Sequence, residues 1–88
     1  MQSKTMKIDM YVIEVLDGMY IGWDNDAELT LFREWEKAQL FREEGLAKDF
    51  IDTYRVEIKD PKLYVDWEDQ KIVVKPVIRH ISGDIIIV

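Results

Sequence analysis

The apolar positions run from the two-residue repeat of strands to a helical repeat and back again. Residues 8 to 16 (IDMYVIEVL) are rich in β-branched and aromatic types, as are 19 to 23 (MYIGW), and Asp17-Gly18 lies between them. Asp-Gly suits the two positive φ values of a type I′ turn, whose twist matches paired strands. The pattern predicts a two-residue hairpin with Leu16 opposite Met19, Glu14 opposite Ile21 and Val12 opposite Trp23. One face of the first strand then carries Ile8, Met10, Val12, Glu14 and Leu16, and the other Tyr11, Ile13 and Val15. A strand apolar on both faces suits the middle of a sheet.

DNDAE (24 to 28) is a polar loop, and LTLF (29 to 32) reads as a short third strand or as the lead into a helix. In residues 33 to 41 (REWEKAQLF) the spacing of Trp35, Ala38 and Phe41, with Phe32 before them, predicts a short helix ending near Leu40. The main amphipathic helix is expected over 42 to 54, with Leu46, Ala47, Phe50, Ile51 and Tyr54 on its apolar stripe. Glu43 and Glu44 fall in its first turn, where the helix dipole favours negative charge. From Arg55 the repeat returns to two: Val56 and Ile58 alternate with Glu57 and Lys59, and Asp60-Pro61 makes a turn. LYVDW (63 to 67) and KIVVKPVIR (71 to 79) then flank Glu68-Asp69-Gln70 as a second hairpin. Pro76 cannot donate to a ladder, so its strand lies at an edge or bulges. HISGD (80 to 84) is expected to turn. IIIV (85 to 88) is either a last core strand, the favoured reading, or an edge that pairs with a second copy.

These elements assemble into an α+β domain over residues 8 to 88: an antiparallel sheet from two β-hairpins, with the main helix and a short preceding one packed on one face. Residues 1 to 7 are expected to be a disordered lead-in. A chain of 88 residues buries only about 60 to 65% of its unfolded surface, which leaves little room for a deep pocket beside a core. Hydrophobic content of 48%, with ten aromatic residues, is that of a folded body and not of a disordered acidic chain.

Charge adds an asymmetry to this picture. Residues 8 to 32 hold six carboxylates (Asp9, Glu14, Asp17, Asp24, Asp26, Glu28) and no Lys or Arg, matching the whole net charge of -6. Glu14 belongs to the first strand and Asp17 to the turn, so Asp9, Asp24, Asp26 and Glu28 are the candidate partner-binding acids. Trp67, flanked by Asp66 and Glu68 beside a turn, joins them as the tryptophan most exposed to a partner. A concentrated negative face favours basic partners and repels polyanions, so direct nucleic-acid binding is not expected. With no cysteine there is no disulfide framework, thiolate metal site or Cys nucleophile, and a reducing, cytoplasmic setting follows. The polar start and the absence of a long apolar run predict neither a signal peptide nor a membrane span.

Chemistry of other kinds finds little support. Asp24-x-Asp26-x-Glu28 lacks the ligand number, glycine and distal bidentate Glu of a calcium loop. His80 is the single histidine, with no obvious nucleophile beside it, and the four glycines are isolated, so no phosphate-binding loop is present. No catalytic residue, metal or cofactor is assigned.

The run from Tyr11 to Tyr54 resembles small accessory proteins encoded by phages of Gram-positive bacteria. It shares with them strand, tight turn, strand, a "KA..F" segment and an alanine-bearing helix, here Asp17-Gly18, Lys37-Ala38, Phe41 and Ala47. The resemblance covers about half the chain. It implies a non-enzymatic protein acting in the host cytoplasm, with anti-defence proteins such as anti-CRISPRs as one subgroup. The leading expectation is an inhibitor that presents carboxylates, in the manner of a DNA mimic, to a basic surface of a host protein such as a defence nuclease. The alternative is an assembly subunit that oligomerises through sheet edges, a homodimer being the simplest case.

Overall fold

The computed structural model describes residues 4–64 and 74–87. Its order is β1 (Lys4–Leu16), β2 (Met19–Trp23), β3 (Leu29–Phe32), a 3₁₀ turn at Trp35–Lys37, α1 (Glu44–Thr53), α2 (Arg55–Ile58), a second 3₁₀ turn at Pro61–Tyr64 and β4 (Val77–Ile87). The four strands form one antiparallel sheet in the order β3-β2-β1-β4. With the helices against one face this is the expected α+β architecture.

β1, apolar on both faces, is central as expected. Its pairing with β2 departs from the simple hairpin: Leu16 does face Met19, but Glu14 faces Tyr20 and not Ile21, because β1 bulges between Glu14 and Leu16. Gly18 has φ 73, whereas Asp17 is not among the positive-φ residues, so the turn is not the type I′ that requires both. Beyond the bulge β1 and β2 separate, and Val12 does not face Trp23. Residues 39 to 41 fill the gap. The Gln39 N–H donates to the Ile21 carbonyl at 3.0 Å, while Tyr11 and Phe41 exchange both backbone hydrogen bonds at 2.8 and 2.9 Å. The Ala38 and Phe41 spacing that suggested a helix thus marks an extended segment bonded to two strands, and helical structure there is limited to the 3₁₀ turn.

β4 runs beside β1 over eleven residue pairs, from Glu14↔Val77 to Lys4↔Ile87. Two expectations change with it, and a third, that the last isoleucines are strand, is met. Residues 4 to 7 are strand and not lead-in; HISGD lies in the middle of β4 and is no turn; and Ile85 to Ile87 continue that strand. Leu63 and Tyr64, expected to open a strand, end the second 3₁₀ turn. The rest of the expected second hairpin as far as residue 73, together with Trp67 and Val88, lies outside the described residues.

The core joins Ile13, Val15 and Ile21 of the sheet to Phe41, Ala47, Ile58 and Tyr64, with Phe50, Ile51 and Tyr54 packed against it. Ala47, Phe50, Ile51, Tyr54 and Ile58 keep the helical spacing, which is why the segment from Arg55 to Ile58 is α2 and not the expected strand. Val56, placed by that reading on an alternating strand face, is 78% exposed, and Leu46, expected in the helix stripe, is 49% exposed. On the opposite face Val12 is fully buried.

The molecule is long, 51 × 27 × 24 Å, with a radius of gyration of 14.6 Å. A compact chain of this length has about 12 Å. Among the described residues no third strand lies alongside residues 4 to 10, so the outer half of the β1–β4 ladder extends beyond the rest of the sheet.

Candidate functional site

The loop between β2 and β3 is built by its first acid. Asp24 Oδ1 accepts the backbone N–H groups of Asp26 at 2.8 Å and Glu28 at 3.0 Å, and the Asp24 N–H donates to the Glu28 carbonyl at 2.9 Å. A short carboxylate can stand in for a backbone turn in this way. It holds the loop closed around Ala27, whose φ is 60. Asp24 is therefore a structural acid, and Asp26 and Glu28 are the exposed ones it presents.

Asp9 stands elsewhere. It is on β1, three-quarters exposed, in contact through Oδ1 with His80 Nε2 of β4. The His80 ring in turn lies 4.9 Å from that of Tyr11. Glu14, set aside above, pairs with Arg79 at 3.1 Å. No hydrogen bond or ion pair among the described residues joins Asp9 to the 24 to 28 loop: Asp9 is engaged by His80 of β4, and the other three candidate acids belong to the β2–β3 loop. Trp67 lies outside the described residues.

The structure instead gathers Glu28 with acids that sequence reasoning missed. Glu28, Glu57 of α2 and Asp60 rim an open cleft of about 310 Å³, whose apolar lining includes Trp23, Leu29, Tyr54 and Leu63. One cation, Lys62, shares the rim. Asp60 Oδ1 accepts the Lys62 N–H at 2.9 Å, which starts the second 3₁₀ turn and sets Leu63 into the lining.

The floor is stiff because its rings hold each other. Trp23 meets Phe50 and Tyr54 edge to face at 5.9 and 5.4 Å, Phe50 meets Phe41 at 5.3 Å, and the Trp23 Nε1–H donates to Gln39 Oε1 at 3.0 Å. Such ring pairs add roughly 0.5 to 1.5 kcal/mol each beyond the area they bury. Behind the cleft the Tyr64 hydroxyl donates to the Ile58 carbonyl at 2.7 Å, satisfying one of the open carbonyls at the end of α2. Burial pushes the Tyr64 pKa up to about 12.

An aromatic floor under a carboxylate rim is suited to a long amphipathic cation. The methylene stem of a lysine or arginine side chain lies on apolar surface, while its head meets ring faces and carboxylates. Glu57 and Asp60 escaped notice because the alternation of Val56 and Ile58 hid a helix, although the Tyr54 to Ile58 spacing of four signals it. Among the described residues no group of three or more His, Cys, Asp and Glu could hold a metal ion, and no helix is long and apolar enough to cross a membrane. Comparison with protein-family models, curated proteins and solved structures gives no match for this chain.

Proposed function

We propose that this is an acidic, non-enzymatic binding protein that takes a basic segment of a partner protein across the cleft between the β2–β3 loop and α2. The observation that carries this reading is the convergence of Glu28, Glu57 and Asp60 on a cleft floored by Trp23 and Tyr54. In the setting the phage resemblance implies, the partner is a host protein with a basic, nucleic-acid-binding surface, and occupancy of that surface inhibits it. Asp26 and Glu28 steer the approach. The cleft then receives one cationic side chain.

The reading is tested with an arginine-rich peptide as probe, titrated calorimetrically at low and at high salt. Reversal of Glu28 and Glu57 to Lys should weaken binding by about tenfold or more at low salt, with most of the difference lost at high salt. Trp23→Leu should weaken it at both. Affinity that ignores all three substitutions removes the cleft from the reading, and affinity that ignores salt removes its electrostatic part.

A further inference from the structure

β4 is the longest edge of the described sheet. Eleven residues are paired with β1 on one side, and among the described residues no strand lies on the other. The direction of its free backbone groups follows from a single bridge. Tyr11 exchanges both of its hydrogen bonds with Phe41, so its N–H and C=O point away from β4, and Tyr11↔His80 is a non-hydrogen-bonded pair of the β1–β4 ladder. The alternation that follows turns the backbone N–H and C=O of Ile78, His80, Ser82, Asp84 and Ile86 outward.

We propose that this edge pairs antiparallel with β4 of a second copy of the chain, about a two-fold axis at Ser82. In that register Ser82 meets Ser82 of the other copy, His80 meets Asp84, Ile78 meets Ile86, and every outward group finds an outward partner. Shifted two-fold registers shorten the ladder, and those centred on His80 or Asp84 set two imidazoles or two carboxylates face to face. The Ser82 register alone overlaps the whole strand and sets a carboxylate against each histidine.

The polar side chains agree across the axis. On the face that carries Asp9, Asp84 has Lys7 as its β1 neighbour, and His80 touches Asp9 and Tyr11. The row across the junction therefore reads Lys7, Asp84, then His80 and Tyr11 of the other copy, which sets the Asp84 carboxylate between an ammonium and an imidazole able to hydrogen-bond it. His80, Ser82, Gly83 and Asp84 are exposed, so no side chain has to be uncovered first. A second copy also satisfies the open backbone groups of a long edge. The self-association is independent of the acid-rimmed cleft.

Register-specific crosslinking tests it, since the chain has no cysteine of its own. Ile81 and Gly83 of the two copies form a non-hydrogen-bonded pair, the closer kind, within disulfide reach. A Cβ at Gly83 meets no atom within 4 Å. An equal mixture of Ile81→Cys and Gly83→Cys chains should form a mixed covalent dimer in oxidising buffer. Either chain alone should not, because like positions then sit diagonally, about 7 Å apart or more. Sedimentation of the unaltered chain should show a concentration-dependent dimer, and Ser82→Pro, which removes an outward N–H and leaves the β1 ladder bonds in place, should shift it to monomer. A monomer at all concentrations, or a dimer without the mixed crosslink, overturns the proposal. The latter result would also direct attention to the shorter open stretch of β1. If Ser82→Pro fails to fold, the crosslinking result decides.

Discussion

Gly22 is a residue whose identity is dictated by what lies over it. A Cβ there would fall 2.8 Å from the Lys37 carbonyl oxygen and 2.8 Å from the Phe32 ring, so the first 3₁₀ turn approaches β2 only because nothing projects from that position. Gly22→Ala should cost about 1 to 3 kcal/mol, read as a lowered urea midpoint, since one of the two obstacles is backbone. Tyr64 makes a prediction of another kind. Its phenol pKa is raised to about 12 in the folded chain, against about 10 when unfolded. The protonated form thus favours folding: the contribution is complete below pH 10 and is lost as the pH rises through 12. Denaturant midpoints of the parent should fall over that window relative to Tyr64→Phe, whose own stability at neutral pH should be lower by about 1 kcal/mol for the lost hydrogen bond.

At the scale of elements, α1 stands on an aromatic contact. Phe50 touches Phe41, Trp23 and Tyr54, linking the helix to the inserted segment and to β2. Phe50→Ala should cost about 3 kcal/mol in urea unfolding, while Leu46→Ala, at a position half exposed, should change the stability by no more than about 0.5 kcal/mol. The contrast also shows what could be read in the residues. The central strand, the first reversal at Asp17-Gly18 and the helix containing Ala47 and Phe50 each follow from a local repeat. The bulge at Val15, the 39 to 41 insertion and the helical state of Arg55 to Ile58 do not, because each is fixed by a partner far away in sequence. His80 to Asp84 read as a turn from composition, yet β1 offers that segment a full ladder, and the ladder prevails over local preference. For the candidate site, Glu28 was legible as an unexplained acid. Glu57 and Asp60 were not, since their convergence on it requires the chain to double back after α1.

At the scale of the whole molecule, two strands of unlike span share one neighbour. β1 meets β2 across a reversal of two residues, but the residues it pairs with in β4 lie 63 to 83 positions away. Such pairing must close a long loop before it gains anything, so the β1–β4 ladder is expected to form late and after α1 has docked. The geometry of that ladder has a mechanical consequence. Lys4 and Ile87 are opposite each other at its outer end. A force applied at those two points loads one pair at a time and opens the ribbon like a zip from the tip inward, whereas the bulged hairpin and the aromatic cluster carry no load until the ribbon has opened to Glu14 and Val77.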